Sequence, residues 1–315
     1  MSLGSTVRQQ APRLEVMRRR GSRRARHNRI VGYLFISPWL VGFLVFALYP
    51  FLASLFYSLT SYDILTPPRW VGLSNYSLML KDGLFWRSLG NTLYFTVFAV
   101  PLTTVMAIAI AMLLNMKVRG LAIYRTIFYL PSVVPLVASS ILWIWLFNPS
   151  FGLLDSFLRM LGLPAPGWLY DESWVKPALI VMSLWGVGSA IVIYLAGLQG
   201  VPQELYEAAG LEGANAWQRT WHVTLPMISP VILFNVVLGL IGSFQYFTQA
   251  YVMTQGGPNN ASLFYALYLY QQAFSYLHLG YASAMAWLLF VLILLATFAV
   301  FRTSAKWVYY GGEVT

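Results

Sequence analysis

Residues 199–225 read QGVPQELYEAAGLEGANAWQRTWHVTL, a polar stretch with apolar runs on both sides. Its first half has helical character. Pro202 suits the first turn, Glu204 and Glu207 complement the positive end of a helix dipole, and Leu205, Ala208, Ala209 and Leu211 supply an apolar face of mostly small side chains. Gly213 permits a sharp reversal into a second short helix, Asn215 to His222, which Pro226 closes. The pattern predicts a compact helix–turn–helix knob joining two apolar segments.

Those neighbours belong to a set of six. A helix needs about 20 mostly apolar residues to cross a bilayer. Six stretches meet that length: Ile30–Leu59, Ser88–Asn115, Leu121–Phe147, Val175–Leu198, Pro226–Phe247 and Leu279–Phe301. Composition agrees, since 58% of the chain is hydrophobic and 10% charged, with a mean hydropathy of +0.64. An ordinary soluble domain carries about 25% charge, and the charges here are too few to cover a soluble surface. The expected fold is an all-α polytopic membrane protein with six transmembrane helices. It divides into a basic segment 1–29, a transmembrane domain 30–302 containing the 199–225 loop, and a tail 303–315.

Positive charge sets the orientation. Nine arginines (Arg8, Arg13, Arg18, Arg19, Arg20, Arg23, Arg24, Arg26, Arg29) precede the first span, and Lys117, Arg119, Arg125, Arg219, Arg302 and Lys306 fall on the same side. The opposite loops hold only Arg69, Lys81, Arg87, Arg159 and Lys176. Both termini and the 199–225 loop are therefore expected in the cytoplasm. The arginine cluster fits anionic lipid head groups better than nucleic acid, because no nucleic-acid-binding module or aromatic platform accompanies it. Trp70, Trp86, Trp168 and Trp174, in the outer loops, read as interfacial anchors.

Cysteine is absent, and the three histidines (His27, His222, His278) lie far apart without a metal-ligand spacing, so no metal site is expected. No acid or base lies deep in a span, which disfavours proton relays and ion-coupled carriers. No GxxxxGK[ST] phosphate loop is present, and no acid, His or Ser–Lys constellation converges within the spans, so an embedded enzyme is disfavoured too.

Glu207-Ala208-Ala209, three residues, Gly213, nine residues and Val223-Thr224-Leu225-Pro226 resemble the EAA loop of binding-protein-dependent ABC importer permeases, whose pattern is EAA-x3-G-x9-I-x-L-P. Val223 replaces the usual isoleucine, and Glu212 an aspartate. Tyr251–Ser262 (YVMTQGGPNNAS), Gly280–Ala284, Leu130-Pro131 with Pro135, Phe147-Asn148-Pro149 with Gly152, and the closing Tyr309–Glu313 are similar to the carbohydrate-uptake branch of that family. The resemblance implies the type I importer permease fold and a non-catalytic subunit. Its implied partners are a second homologous permease, a dimeric cytoplasmic ATPase and an extracytoplasmic solute-binding protein. ATP and Mg would be bound by the ATPase, with no cofactor in this chain.

Carried over residue by residue, it makes Glu207, Ala208, Ala209, Gly213, Val223, Leu225 and Pro226 the contacts that couple the permease to the ATPase. It also aligns a sugar path with Met182, Trp185, Gly186 and Ser189 on the fourth span and Gly239, Gly242, Ser243 and Tyr246 on the fifth. Each set steps i, i+3, i+4, i+7, as a single helical stripe would; close helix packing is the competing use of such Gly and Ser residues. Expected cargo is a di- or oligosaccharide, with glycerol-3-phosphate or another polar solute as alternative. A self-sufficient secondary carrier is the remaining reading, and it calls for helices broken at mid-membrane.

Overall fold

The computed structural model describes the backbone of residues 11–116 and 119–309, with side chains from residue 26. The side chains of Arg8, Arg13, Glu15, Arg18, Arg19, Arg20, Arg23 and Arg24, together with Lys117 and residues 310–315, lie outside what is described. Two compact units are present, one up to Phe56 and one from Tyr57 onward.

In the first unit, α1 (Ala11–Phe43) passes through Pro38 and opens into a π-turn at Leu44–Leu48; α2 (Tyr49–Ser58) follows, with its last two residues in the second unit. The helix runs without a break across residue 29. Its side chains include Phe35, Trp39 and Phe46, all largely exposed. Only lipid or another apolar partner suits such a surface.

The second unit carries a short hairpin directly after α2. Here β1 (Thr60–Ser61) pairs antiparallel with β2 (Arg69–Trp70). Next come α3 (Ser74–Lys81) and α4 (Gly83–Leu114), the latter capped by the Asp82 carboxylate on the Leu84 N–H and carrying Pro101. Two of the expected straight spans are broken. The third comprises α5 (Leu121–Tyr129), a 3-10 turn at Leu130–Val133 and α6 (Leu136–Leu146), bent by 100°. The fourth comprises α8 (Val175–Trp185) and α9 (Gly188–Gln199), bent by 49°. Pro131 and Pro135 explain the first break, since each lacks an N–H and disfavours helix in the residue before it. Gly188 explains how the second is accommodated: a Cβ there would press on the Phe128 carbonyl, the Ser132 hydroxyl and Tyr129.

Between these broken spans lies α7 (Leu153–Met160), where Asp155 is buried and accepts a 2.5 Å hydrogen bond from the Trp168 indole. Trp168 is thus tied into the loop, while Trp70, Trp86 and Trp174 are exposed. After the 200–227 loop come α13 (Ser229–Phe244), α14 (Thr248–Met253), α15 (Tyr265–Tyr270) and α16 (Leu279–Ser304). α4 is the central post, packed on α8, α9, α13 and α15. One core, around Phe85, Phe95, Phe244, Phe264, Tyr265 and Met285, fills the end of the unit that carries the hairpin. A second, around Ala107, Ala111, Ile191, Leu198 and Ile228, fills the end beside the 200–227 loop. Among the described residues four helices are long and apolar enough to cross a membrane, and six spans result when each bent pair counts as one.

Candidate functional site

The 200–227 loop folds as two helices around a glycine. α10 (Gln203–Leu211) starts after Pro202, which stands at the cap rather than in the first turn. Gly213 has φ +82°, a left-handed conformation open to glycine at little cost, and no atom lies within 4 Å of where its Cβ would stand. The second helix, α11 (Ala216–Arg219), is shorter than expected. Asn215 and Gln218 cap it reciprocally, and the chain then passes through a π-turn at Thr220–Thr224 into α12 (Leu225–Met227). Pro226 therefore does not end the helical path; it sits near the start of α12, where its missing N–H does no harm.

A 3.1 Å hydrogen bond between the Tyr206 and Thr224 hydroxyls ties the two helices together. Glu207, Ala208 and Gly213 are exposed, while Ala209, Val223, Leu225 and Pro226 are half-buried. Ala209, Gly213 and Val223 line one groove, with Glu212, Arg219 and His222. Leu211 is not part of a buried face: it is 91% exposed, and Trp217, 70% exposed, meets Trp221 edge to face at 5.7 Å.

Met182, Trp185, Gly186, Ser189, Gly239, Gly242, Ser243 and Tyr246 all line one cavity of about 320 Å³. They do not form two continuous stripes. The break between α8 and α9 falls at Gly186–Val187, and Tyr246 lies beyond the end of α13, in the turn leading to α14. The bends bring both rows to the cavity. Sequence reasoning missed the remaining wall: Phe95, Ala99 and Thr103 of α4; Pro131, Ser132 and Ser139 at the break of the third span; and Gln249 of α14. Two prolines four residues apart in an apolar run were the available signal for that break.

No lining residue carries a charge. Thr103, Ser132, Ser183 and Ser243 donate their hydroxyl protons to carbonyls within their own helices or turns, leaving oxygens as acceptors. The Tyr246 hydroxyl is buried without a hydrogen-bond partner, and its ring stacks obliquely on Phe95 at 4.2 Å.

At the hairpin end, Asp82 gathers a network. It accepts from the hydroxyls of Tyr268 (2.5 Å) and Tyr281 (2.7 Å); the Gln272 amide donates to Tyr268, and His278 Nδ1 lies 3.0 Å from Gln272 Oε1. Burial raises the Asp82 pKa, but hydrogen bonds from Tyr268 and Tyr281 and from the Leu84 and Phe85 N–H groups outweigh it, so the carboxyl is held below the usual carboxylate range. Nearby, the 255–260 turn has φ above zero at Gln255, Gly256, Asn259 and Asn260. Buried Asn91 clamps it, donating to the Asn260 and Leu263 carbonyls while accepting from Lys176 Nζ at 3.1 Å.

Residues 99–308 match the family of binding-protein-dependent transport system inner membrane components. The chain belongs to this family. It is 43% identical over 92% of its length, and 95% of the relative's, to a probable ABC transporter permease, YesP, of Bacillus subtilis. It is also 35% identical, over 89% of its length and 96% of the relative's, to the lactose transport system permease LacF of Rhizobium radiobacter. One solved structure, a bacterial ABC transporter involved in import of the acidic polysaccharide alginate, shares the fold, with a TM-score of 0.79 and 22% identity over 91% of this chain and 99% of that one. This ABC importer permease is thus a multi-pass inner-membrane protein. Broken spans, which a secondary carrier would also require, here belong to an importer permease.

Proposed function

We propose that this permease is one of two homologous six-span subunits that move a carbohydrate into the cell, with both termini and the 200–227 loop in the cytoplasm. In this reading a separate ATPase dimer holds ATP and Mg, and a solute-binding protein outside delivers the sugar. The observation that carries it is the uncharged cavity at the breaks of the spans. A neutral polyol needs acceptors for its O–H groups, donors for its oxygens and an aromatic surface. Serine and threonine oxygens, the unpartnered Tyr246 hydroxyl and Trp185 supply them. Glycerol-3-phosphate suits it poorly, since no arginine or lysine lines the cavity to pair a phosphate.

The loop is the coupling element. Glu207, Ala208 and Ala209 seat it on the ATPase, Gly213 sets the angle between its helices, and Val223, Leu225 and Pro226 transmit movement into α13. Exposed Leu211, Trp217 and Trp221 offer the apolar anchors that docking to another protein requires.

The test is uptake into proteoliposomes carrying both permeases and the ATPase. Gly242→Trp, which fills the cavity, is expected to abolish uptake while leaving assembly intact. Tyr246→Phe removes a hydroxyl that bonds to nothing in the protein, so it should leave thermal stability unchanged and slow uptake by about tenfold. Undiminished transport by Gly242→Trp would refute the path. Solute movement in vesicles lacking any ATPase would return the reading to a secondary carrier.

A further inference from the structure

A second cavity, of about 340 Å³, adjoins the first and shares five wall residues with it, Thr103, Ser183, Gly186, Ser189 and Gly239. Its own residues lie nearer the 200–227 loop on every helix that contributes. On α4 the wall moves from Phe95 to Thr104, along the fourth span from Met182 to Tyr194, and on α13 from Ser243 back to Asn235. With 1.5 Å of rise per residue, Asn235 stands about 10 Å from Gly242 along α13, which is more than the width of one sugar ring.

The chemistry of this wall is again uncharged. Thr103 and Ser183 spend their protons on helix carbonyls, and the Asn235 amide donates to the Val231 carbonyl, so their oxygens are left as acceptors. Tyr194 supplies the complementary donor. Its side chain is fully buried, and its hydroxyl faces Thr104 without closing a hydrogen bond of normal geometry. Buried hydroxyls ordinarily find partners, and one that lacks a partner beside an uncharged cavity marks a place where a visiting group completes the set. Carboxylates and phosphates meet no arginine or lysine here, and cations meet no carboxylate. An alcohol, which donates and accepts from the same oxygen, fits both.

We infer that this cavity is an inner station for a neutral sugar ring, occupied after the outer cavity and before release at the loop end. This rests on the outer cavity being the solute path. Two stations one ring apart let a disaccharide span both, or let a single ring step inward without ever facing a purely apolar wall.

The chain contains no cysteine, so single cysteines report directly. Asn235→Cys (inner), Gly242→Cys (outer) and Leu113→Cys (on the exposed apolar surface) are each placed in the complete transporter in proteoliposomes during ATP turnover. They are labelled with a glucosyl methanethiosulfonate and, separately, a cyclohexyl methanethiosulfonate. The expected result is that the glucosyl reagent labels positions 235 and 242 at least about tenfold faster than position 113, and that adding Tyr194→Phe slows labelling at 235 but not at 242. Labelling at 242 without labelling at 235, or at 235 by the cyclohexyl reagent alone, overturns the inner station and leaves the path standing. Failure of the glucosyl reagent at both positions overturns the path itself. An unchanged rate at 235 on Tyr194→Phe overturns the role given to that hydroxyl.

Discussion

Gly213 separates two explanations of the loop. If its role were to leave space, any larger side chain would fail; yet its Cβ direction is open, with nothing within 4 Å. What singles it out is φ +82°. An alanine there incurs about 1–2 kcal/mol for the left-handed conformation. Asparagine tolerates it better, and a β-branched valine worse. A change of one or two kcal/mol shifts the population of the native turn by a factor of roughly 5 to 30. The series Gly213→Asn, Gly213→Ala and Gly213→Val should therefore lower sugar uptake per ATP hydrolysed in that order, with asparagine near wild type despite its size. The assay is parallel uptake and phosphate release in proteoliposomes, with membrane insertion checked by the amount of assembled complex. Equal coupling in the valine and wild-type proteins would refute the conformational requirement. Equal loss in asparagine and valine would show that bulk, not φ, decides.

Three further outcomes test the frame around the site. Gly280→Ala drives a methyl into the Thr60 carbonyl, a backbone atom in the hairpin that cannot swing away, and should destabilise the unit by about 1–3 kcal/mol; an unchanged melting temperature in detergent would contradict that packing. Asn91→Leu leaves the Asn260 and Leu263 carbonyls without their donor, at about 1–3 kcal/mol for the buried Leu263 carbonyl, and should open the 255–260 turn to protease before the rest of the chain; cleavage at the wild-type rate would count against the clamp. Because the folded pKa of Asp82 is depressed, its stabilisation is complete above the unfolded value of about 4 and is lost as pH falls through the lower folded value. Tyr281→Phe removes one donor and should move the acid unfolding midpoint upward, as followed by tryptophan fluorescence; identical midpoints would exclude the network as the cause.

How much of this was written in the residues differs from element to element. The six apolar segments were legible because each buries or presents its own length to lipid, a property of local composition. The 200–227 loop was legible because glycine conformation, proline position and capping act within a few residues; only its second helix was drawn too long, where a π-turn replaces regular helix. By contrast, the eight path residues could be written down as two stripes, but whether they faced a common space depended on two bends and on the end of α13. Those bends arise where Pro131, Pro135 and Gly188 meet neighbouring helices, and a spacing rule assumes a straight rod.

The sequence by itself determined that this chain crosses a membrane and which loop projects from it, since the free energy of placing each segment in lipid or water depends on that segment alone. The tertiary structure decided what shares a space: the walls of the two cavities, the buried hydroxyls of Tyr194 and Tyr246, and the Asn91 and Asp82 anchors. These join residues up to 199 positions apart, as in the bond from Tyr281 to Asp82. Such contacts exist only when helices remote in sequence pack together, and no local pattern encodes them.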